Sequence, residues 1–235
     1  MKLHTHTWGT GDRVAVLVHG LMSDHRTWHR LGPALAGRGY RVVGVDLRGH
    51  GNSPRGGYEL TALADDLTHA LPPDPELAIG HSLGGLLLGL AADRLGAKRC
   101  VYADPTWATA AAERARSTAD KVAAMGQFKG ANRSIVRGFN RRWDAADVRV
   151  EAEARAAWDP ESAAVFDVDD LTAYVPEAAV VPSLVLAAAD NPLTLSEADR
   201  ADLTARGFEV RVVRARHCIH YEDFDAFVAT LDDWL

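Results

Sequence analysis

The sequence predicts an α/β fold, a mostly parallel sheet with helices on both faces and a helical cap inserted into it. Three observations carry this. Short, continuously apolar runs alternate with helix-periodic stretches at both ends of the 235-residue chain, as a sheet covered on both faces requires. A glycine-rich turn, Gly80-His81-Ser82-Leu83-Gly84-Gly85, joins one such run to a long Leu/Ala-rich helix. The alternation then stops between Asp104 and about Ala179 and resumes afterwards. Residues 1–104 and 180–235 therefore read as the core, and residues 105–179 as the cap.

Taken in order, Lys2 to Trp8 alternates apolar and polar groups and turns through Gly9-Thr10-Gly11-Asp12. Arg13 to Val18 is apolar throughout, a buried strand. Ser23-Asp24 can cap a helix from about His25 to Ala36, which Gly37 and Gly39 end. Arg41 to Val45 is the next strand, followed by a polar, glycine-rich loop from Asp46 to Pro54. Tyr58 to Leu71 is helical, with Leu60, Leu63, Leu67 and Leu71 on one face, and the Pro72-Pro73-Asp74-Pro75 cluster stops it. Glu76 to Ile79 is the strand before the glycine-rich turn, Leu83 to Leu95 the helix after it, and Arg99 to Ala103 the next strand. The inserted block is alanine-rich and helical, broken by Gly126, Gly130, Gly138 and Pro160. Beyond it come a strand at Val181 to Ala187, a capped helix at Ser196 to Arg206 and a strand at Phe208 to Val213. A last amphipathic helix spans Tyr221 to Leu235, with Phe224, Phe227, Val228, Leu231 and Trp234 inward.

Composition excludes several classes. With 47% hydrophobic and 25% charged residues the chain is an ordinary globular one, and a net charge of −6 argues against a generic nucleic-acid binder. Its longest apolar stretches are too short to span a bilayer, and Met1 to Thr10 carries no apolar leader. A cytoplasmic protein without nucleic-acid or membrane partners is expected. Cys100 and Cys218 have neither metal-ligand nor redox spacing, and no metal is expected.

The chemistry centres on Ser82. Glycines two residues before and after it permit a strand-to-helix turn too sharp for side chains, which pushes the hydroxyl out at the carboxyl edge of the sheet. A serine hydroxyl needs a base to take its proton and a carboxylate to orient that base. His217 lies in the loop after the last strand, facing that edge, and is the candidate base; His220 beside it reads as a helix-start residue. Asp190, closing the strand that ends Leu184-Val185-Leu186-Ala187-Ala188-Ala189, is the candidate acid. Asp104 is its rival, because it ends the strand after the Ser82 helix at the same edge. His81 reads as a packing residue.

The order Ser82, Asp190, His217 is that of α/β-hydrolases, and the chain resembles a capped member of that family. The matching segments are Val16-Leu17-Val18-His19-Gly20-Leu21-Met22, Asp46-Leu47-Arg48-Gly49-His50-Gly51-Asn52-Ser53, and the turn at Ser82. The first sheet strand of larger members is missing from it. The resemblance implies an oxyanion hole from the backbone N–H groups of Leu21 and Leu83, with Met22 as the alternative second donor. It also implies that His19 pins its loop and that Arg48 and His50 belong to a turn structure. Serine at position 82, where dehalogenases and epoxide hydrolases of the family carry aspartate, implies acyl transfer to water without cofactor. The substrate would be a small or medium carboxylic ester, lactone or thioester. A carbon–carbon bond hydrolase, an acyl transferase or lyase, and a receptor with little turnover are the alternatives.

Met22, and within the cap Trp107, Phe139 and Trp143, are candidates for the substrate-facing wall, with cap core as the plainer role for the aromatic three. Arg114, Arg116, Lys121, Lys129, Arg133, Arg137, Arg141 and Arg142 make its first part basic, and Arg133, Arg137 and Arg141 fall four apart as one helical stripe. That stripe is either a solvated face paired with the acidic second part or a site for a substrate carboxylate.

Overall fold

The computed structural model describes residues 1–107, 118–168, 170–191 and 195–235. The first half contains β1 (Thr5–Trp8), β2 (Arg13–Val18), α1 (Leu31–Ala36), β3 (Tyr40–Val45), α2 (Leu60–Ala70), β4 (Leu77–His81), α3 (Leu83–Leu95) and β5 (Cys100–Ala103). Then come α4 (Thr118–Gly126), α5 (Arg133–Phe139), α6 (Ala145–Ala157), β6 (Ser183–Ala188), α7 (Glu197–Ala205), β7 (Glu209–Val213), α8 (Ile219–Glu222) and α9 (Phe224–Ala229). The strands form one seven-stranded sheet in the order β1-β3-β2-β4-β5-β6-β7. Only β1 runs antiparallel, against β3. The expected α/β-hydrolase fold is present, with a helical segment between β5 and β6.

Strand pleating divides the core into two layers. Val16, Val18, Val43, Val45, Ala78, Val185 and Ala187 pack on one face against Leu63 and Leu67 of α2 and Leu86 and Leu87 of α3. Their neighbours Ala15, Leu17, Val42, Leu77, Ile79, Leu184 and Leu186 pack on the other against Leu31 and Leu35 of α1 and Phe227 of α9. Burying each of the valines, leucines and isoleucines among them is worth about 1.5–3 kcal/mol. Because both faces are covered, the central strands carry no polar alternation.

Two expected helices are each divided. The run from His25 to Ala36 is a 3-10 turn, His25–Trp28, followed by α1. Pro33 explains the break, since it lacks an N–H and its ring would clash with the His29 carbonyl in a continuous helix. The final stretch divides at Asp223, whose extended backbone (φ −154°) and carboxylate, bonded to the Ala226 N–H, start α9 afresh. Phe227, Leu231 and Trp234 still point inward as expected.

In the helical segment between β5 and β6, Ala131, Val136, Trp143, Val148 and Ala152 share a small apolar cluster with Tyr221 of α8. Side chains of this segment reach the rest of the fold through a His29–Asp147 hydrogen bond and an Arg26–Glu153 ion pair, and the Tyr58 hydroxyl donates to Asp159. Both cysteines are free, and burial pushes the Cys100 thiol up to about 11. No helix among the described residues is long and apolar enough to cross a membrane.

Candidate active site

Ser82 stands between β4 and α3 with φ 54° and ψ −119°, a conformation costly for a residue with a side chain. The turn closes so tightly that a Cβ on Gly80 would lie 2.4 Å from the Gly84 carbonyl oxygen, and one on Gly84 would lie 2.3 Å from that of Val18. The strain is held by packed neighbours, and it aims the hydroxyl away from the sheet. Ser82 remains 8% exposed.

The hydroxyl donates to His217 Nε2 at 2.8 Å. The opposite ring nitrogen, Nδ1, donates to Asp104 Oδ2 at 2.6 Å. His217 therefore takes the expected place, but Asp104 orients it and Asp190 does not. Asp190 is exposed, and its N–H is tied to the Ala215 carbonyl in the turn after β6. Both aspartates follow strands ending at one edge; the turns behind them decide. Asp104 has φ 43°, which swings its side chain over the end of β6, where Oδ1 accepts from Ala188 N–H at 3.1 Å. The chain order of serine, aspartate and histidine is unchanged by this correction.

Burial acts to raise the Asp104 pKa. Hydrogen bonding and charge from His217, with the Ala188 and Asn191 donors, outweigh it and hold the carboxyl below the ordinary carboxylate range. Asn191 Nδ2 donates to Asp104 Oδ2 at 2.7 Å. Asn191 was not legible as a site residue, although it adjoins Asp190 in the same loop. Thr106, two residues past Asp104, also reaches the site, its hydroxyl 3.4 Å from Ser82 Oγ.

Buried histidines brace this arrangement. His81 Nε2–H donates to the His217 carbonyl at 2.9 Å, so it fixes the loop that carries His217 as well as packing. Burial, with the nearby His217 second, depresses its pKa to about 3 and keeps the ring neutral. His19 accepts the Leu47 N–H at Nε2 and donates from Nδ1 to the Gly20 carbonyl, pinning its loop as expected. His50 donates to the Arg48 carbonyl and accepts the Met22 N–H at 3.3 Å. Burial lowers its pKa to about 3. Arg48 is held by Asp66 and the Gly57 carbonyl, which gives it a structural part. His220 is buried against Thr27 at 2.9 Å, away from the role of base.

The His19-Gly20-Leu21 loop abuts Ser82, for a Cβ on Gly20 would lie 3.0 Å from Ser82 Cβ. Neither the Leu21 nor the Leu83 N–H has a hydrogen-bond partner among the described residues. Met22, the alternative donor, has φ 67° and its N–H is engaged by His50.

Trp107 is buried with Tyr102 at 4.7 Å and Phe208 at 5.6 Å, close to Thr106 but inside the sheet's core layer. Trp143 packs on Tyr221 of α8 at 4.6 Å and donates to Glu222, so it fills the seam between the segment before β6 and α8. Phe139 is 59% exposed at the end of α5, its ring edge-on to Phe128 at 6.1 Å. The structure thus brings neither Trp143 nor Phe139 to Ser82, correcting their expected place on the substrate wall. The basic stripe is also shorter than expected. Helix α5 ends at Phe139, where the Asn140 side chain caps the Val136 carbonyl, so Arg141 lies outside it. Arg133 faces Glu153 of the acidic second part at 3.6 Å, and Arg137 holds the Trp143 carbonyl. Arg114, Arg116 and the side chain of Lys121 lie outside the described residues.

The sequence model described as "Alpha/beta hydrolase family" matches residues 15–230. Among curated proteins, the chain is similar to a pimeloyl-[acyl-carrier protein] methyl ester esterase of Aeromonas hydrophila, 43% identical over 37% of this chain and 34% of that protein. It is also similar to salicylic acid-binding protein 2 of Nicotiana tabacum, 37% identical over 37% of this chain and 36% of that protein. The matched segment thus spans about a third of these relatives' length. Among solved structures, an esterase from Exiguobacterium antarcticum superposes with a TM-score of 0.77 at 19% identity, covering 99% of this chain and 94% of that one. An E-2-(acetamidomethylene)succinate hydrolase superposes with a TM-score of 0.78 at 22% identity, covering 98% and 94%. Those likenesses concern the fold.

Proposed function

Since the chain belongs to the alpha/beta hydrolase family, we propose that it is a serine hydrolase cleaving a small or medium carboxylic ester, lactone or thioester through an acyl-enzyme on Ser82. One observation carries the reading, the unbroken line from Ser82 Oγ through His217 to the buried Asp104 carboxylate. The esterase names among the relatives support the ester class.

In this reading His217 Nε2 takes the hydroxyl proton as Ser82 Oγ attacks the carbonyl carbon, and Asp104 stabilises the imidazolium that results. The carbonyl oxygen, now negative, is received by the Leu21 and Leu83 amides. Leu83 is the first residue of α3, where unpaired amides and the helix dipole favour an anion. His217 then returns its proton to the leaving alcohol or thiol, which leaves an acyl group on Ser82. A water deprotonated by the same nitrogen releases the acid and regenerates the serine. The segment 105–179 acts as the lid over this edge and sets the size of the acyl group.

Intact-mass labelling with a fluorophosphonate tests the reading on wild type and Ser82→Ala. A single adduct on wild type and none on the variant is expected, followed by turnover within a panel of esters, lactones and thioesters. An unlabelled but folded wild type, or an adduct that persists in Ser82→Ala, overturns it.

A further inference from the structure

The loop after β6 brings a second side chain to the Asp104 carboxylate. Its backbone is tied toward β7, with the Ala189 N–H donating to the Val213 carbonyl at 2.8 Å and the Asp190 N–H to the Ala215 carbonyl at 3.0 Å. Ala215 lies two residues ahead of His217, so the loop after β6 and the loop after β7 are joined at this point. With the backbone fixed in this way, Asp190 leaves its side chain exposed, while the partly buried Asn191 reaches back to Asp104.

Two donors meet at one oxygen. Asp104 Oδ2 accepts from His217 Nδ1 at 2.6 Å and from Asn191 Nδ2 at 2.7 Å, and the two nitrogens stand 3.3 Å apart. An amide oxygen in place of Nδ2 would face a carboxylate oxygen, so the network puts the NH2 end of Asn191 here. Both nitrogens turn their hydrogens to the carboxylate, because a bond to an ionised acceptor is stronger than one to a neutral ring. The other oxygen, Oδ1, accepts from the Ala188 N–H at 3.1 Å. The last torsion of an aspartate is broad, and a single contact would leave the carboxylate free to turn about it. Ala188 and Asn191 each hold one oxygen, which fixes the carboxylate plane independently of His217.

We propose that Asn191 is a positioning residue for the reaction, its amide fixing the Asp104 oxygen that orients His217. The proposal rests on the reading of Ser82, His217 and Asp104 given above. As Ser82 loses its proton, the imidazolium needs a carboxylate already in place, since any turning of that group during the step would add to the barrier. Asn191 meets the Nδ1 side of the ring and Ser82 the Nε2 side, so the amide acts through Asp104 and His217 and not on the substrate.

Asn191→Ala and Asn191→Leu test this by steady-state hydrolysis, fluorophosphonate labelling rate and proton NMR, with circular dichroism to verify folding. In both, kcat and the labelling rate should fall about tenfold with KM little changed, within the range that a small misplacement of reacting groups costs. The far-downfield resonance of the His217 Nδ1 proton, identified by its loss in His217→Ala, should weaken or move. In an Asp104→Ala background no carboxylate remains to be held, so adding Asn191→Ala should cost less than about twofold. A residue that only shapes the loop would cost the same in either background. Full activity in both variants, a loss confined to KM, an unmoved resonance or an undiminished loss in the Asp104→Ala background overturns the proposal and leaves the serine hydrolase reading standing. A folded wild type that fluorophosphonate does not label removes that reading and this proposal with it.

Discussion

Replacing Asp104 by asparagine keeps its shape and removes its charge. In the structure its Oδ2 sits 2.6 Å from His217 Nδ1, at 3% exposure for the aspartate side chain and 43% for the histidine. An imidazolium and a carboxylate about 4 Å apart between charge centres attract by about 4 kcal/mol at an effective dielectric of 20. The exposure of His217 screens part of that. The amide also permits the wrong histidine tautomer, a change that costs about 10⁴ in kcat in a Ser-His-Asp triad. We therefore expect kcat to fall about 10³-fold, equivalent to about 4 kcal/mol at 1.36 kcal/mol per factor of ten, with KM little changed. Asp190→Asn, a surface change, should stay within about a factor of two. The assay is steady-state hydrolysis of the best ester from the panel, alongside the rate of fluorophosphonate labelling and near-ultraviolet circular dichroism to verify folding. Activity in Asp104→Asn within about tenfold of wild type, or a comparable loss in Asp190→Asn, would refute the assignment of Asp104 as the carboxylate that orients His217.

Gly20→Ala should slow turnover by about tenfold to 10²-fold, the range for a small misplacement of reacting groups. Its methyl would arrive 3.0 Å from both Ser82 Cβ and His81 Nδ1; unchanged labelling kinetics in a folded variant would contradict the tight approach of this loop. Acid should destabilise the fold well before its carboxylates protonate. His50 and His81 have folded pKa values of about 3 against 6.5 unfolded, so their contribution is complete above 6.5 and is lost as pH falls from 6.5 toward 3. Moving from pH 8 to pH 5 should cost about 2 kcal/mol for each. Urea midpoints measured across that interval check this, and a flat profile would show that these rings are not held neutral.

How far the sequence could be read depended on whether the deciding interaction was local. The strands β2, β4 and β6 were legible because burial on both faces leaves continuous apolar runs. Ser82 was legible because a turn this tight demands glycine at fixed offsets, and His217 because it is the first histidine after the last strand, ahead of His220 at the start of the helix beyond. The acid was not, since the choice between Asp104 and Asp190 turns on a positive φ at a non-glycine residue. Aspartate gives no local sign of adopting it. Pro33 and Asp223 did carry local signals that split two helices, but the amphipathic pattern on either side of each ran on in phase and masked the break. Aromatics of the segment between β5 and β6 such as Trp143 look alike in sequence whether they face a pocket or a neighbouring helix.

The position of Asp104 has a further consequence for the sheet itself. Its N–H donates to the Leu186 carbonyl, the regular parallel pairing of β5 with β6. The next rung should join Ala188 N–H to the Asp104 backbone carbonyl, but Ala188 bonds to Oδ1 of the side chain instead. The ladder thus continues one step past the end of β5 with a carboxylate standing in for a peptide oxygen. One oxygen of the carboxylate completes the sheet while the other holds His217. Strand register and the aim of the imidazole are therefore a single mechanical quantity, and a distortion that loosens the β5–β6 edge is transmitted to His217 without passing through any loop.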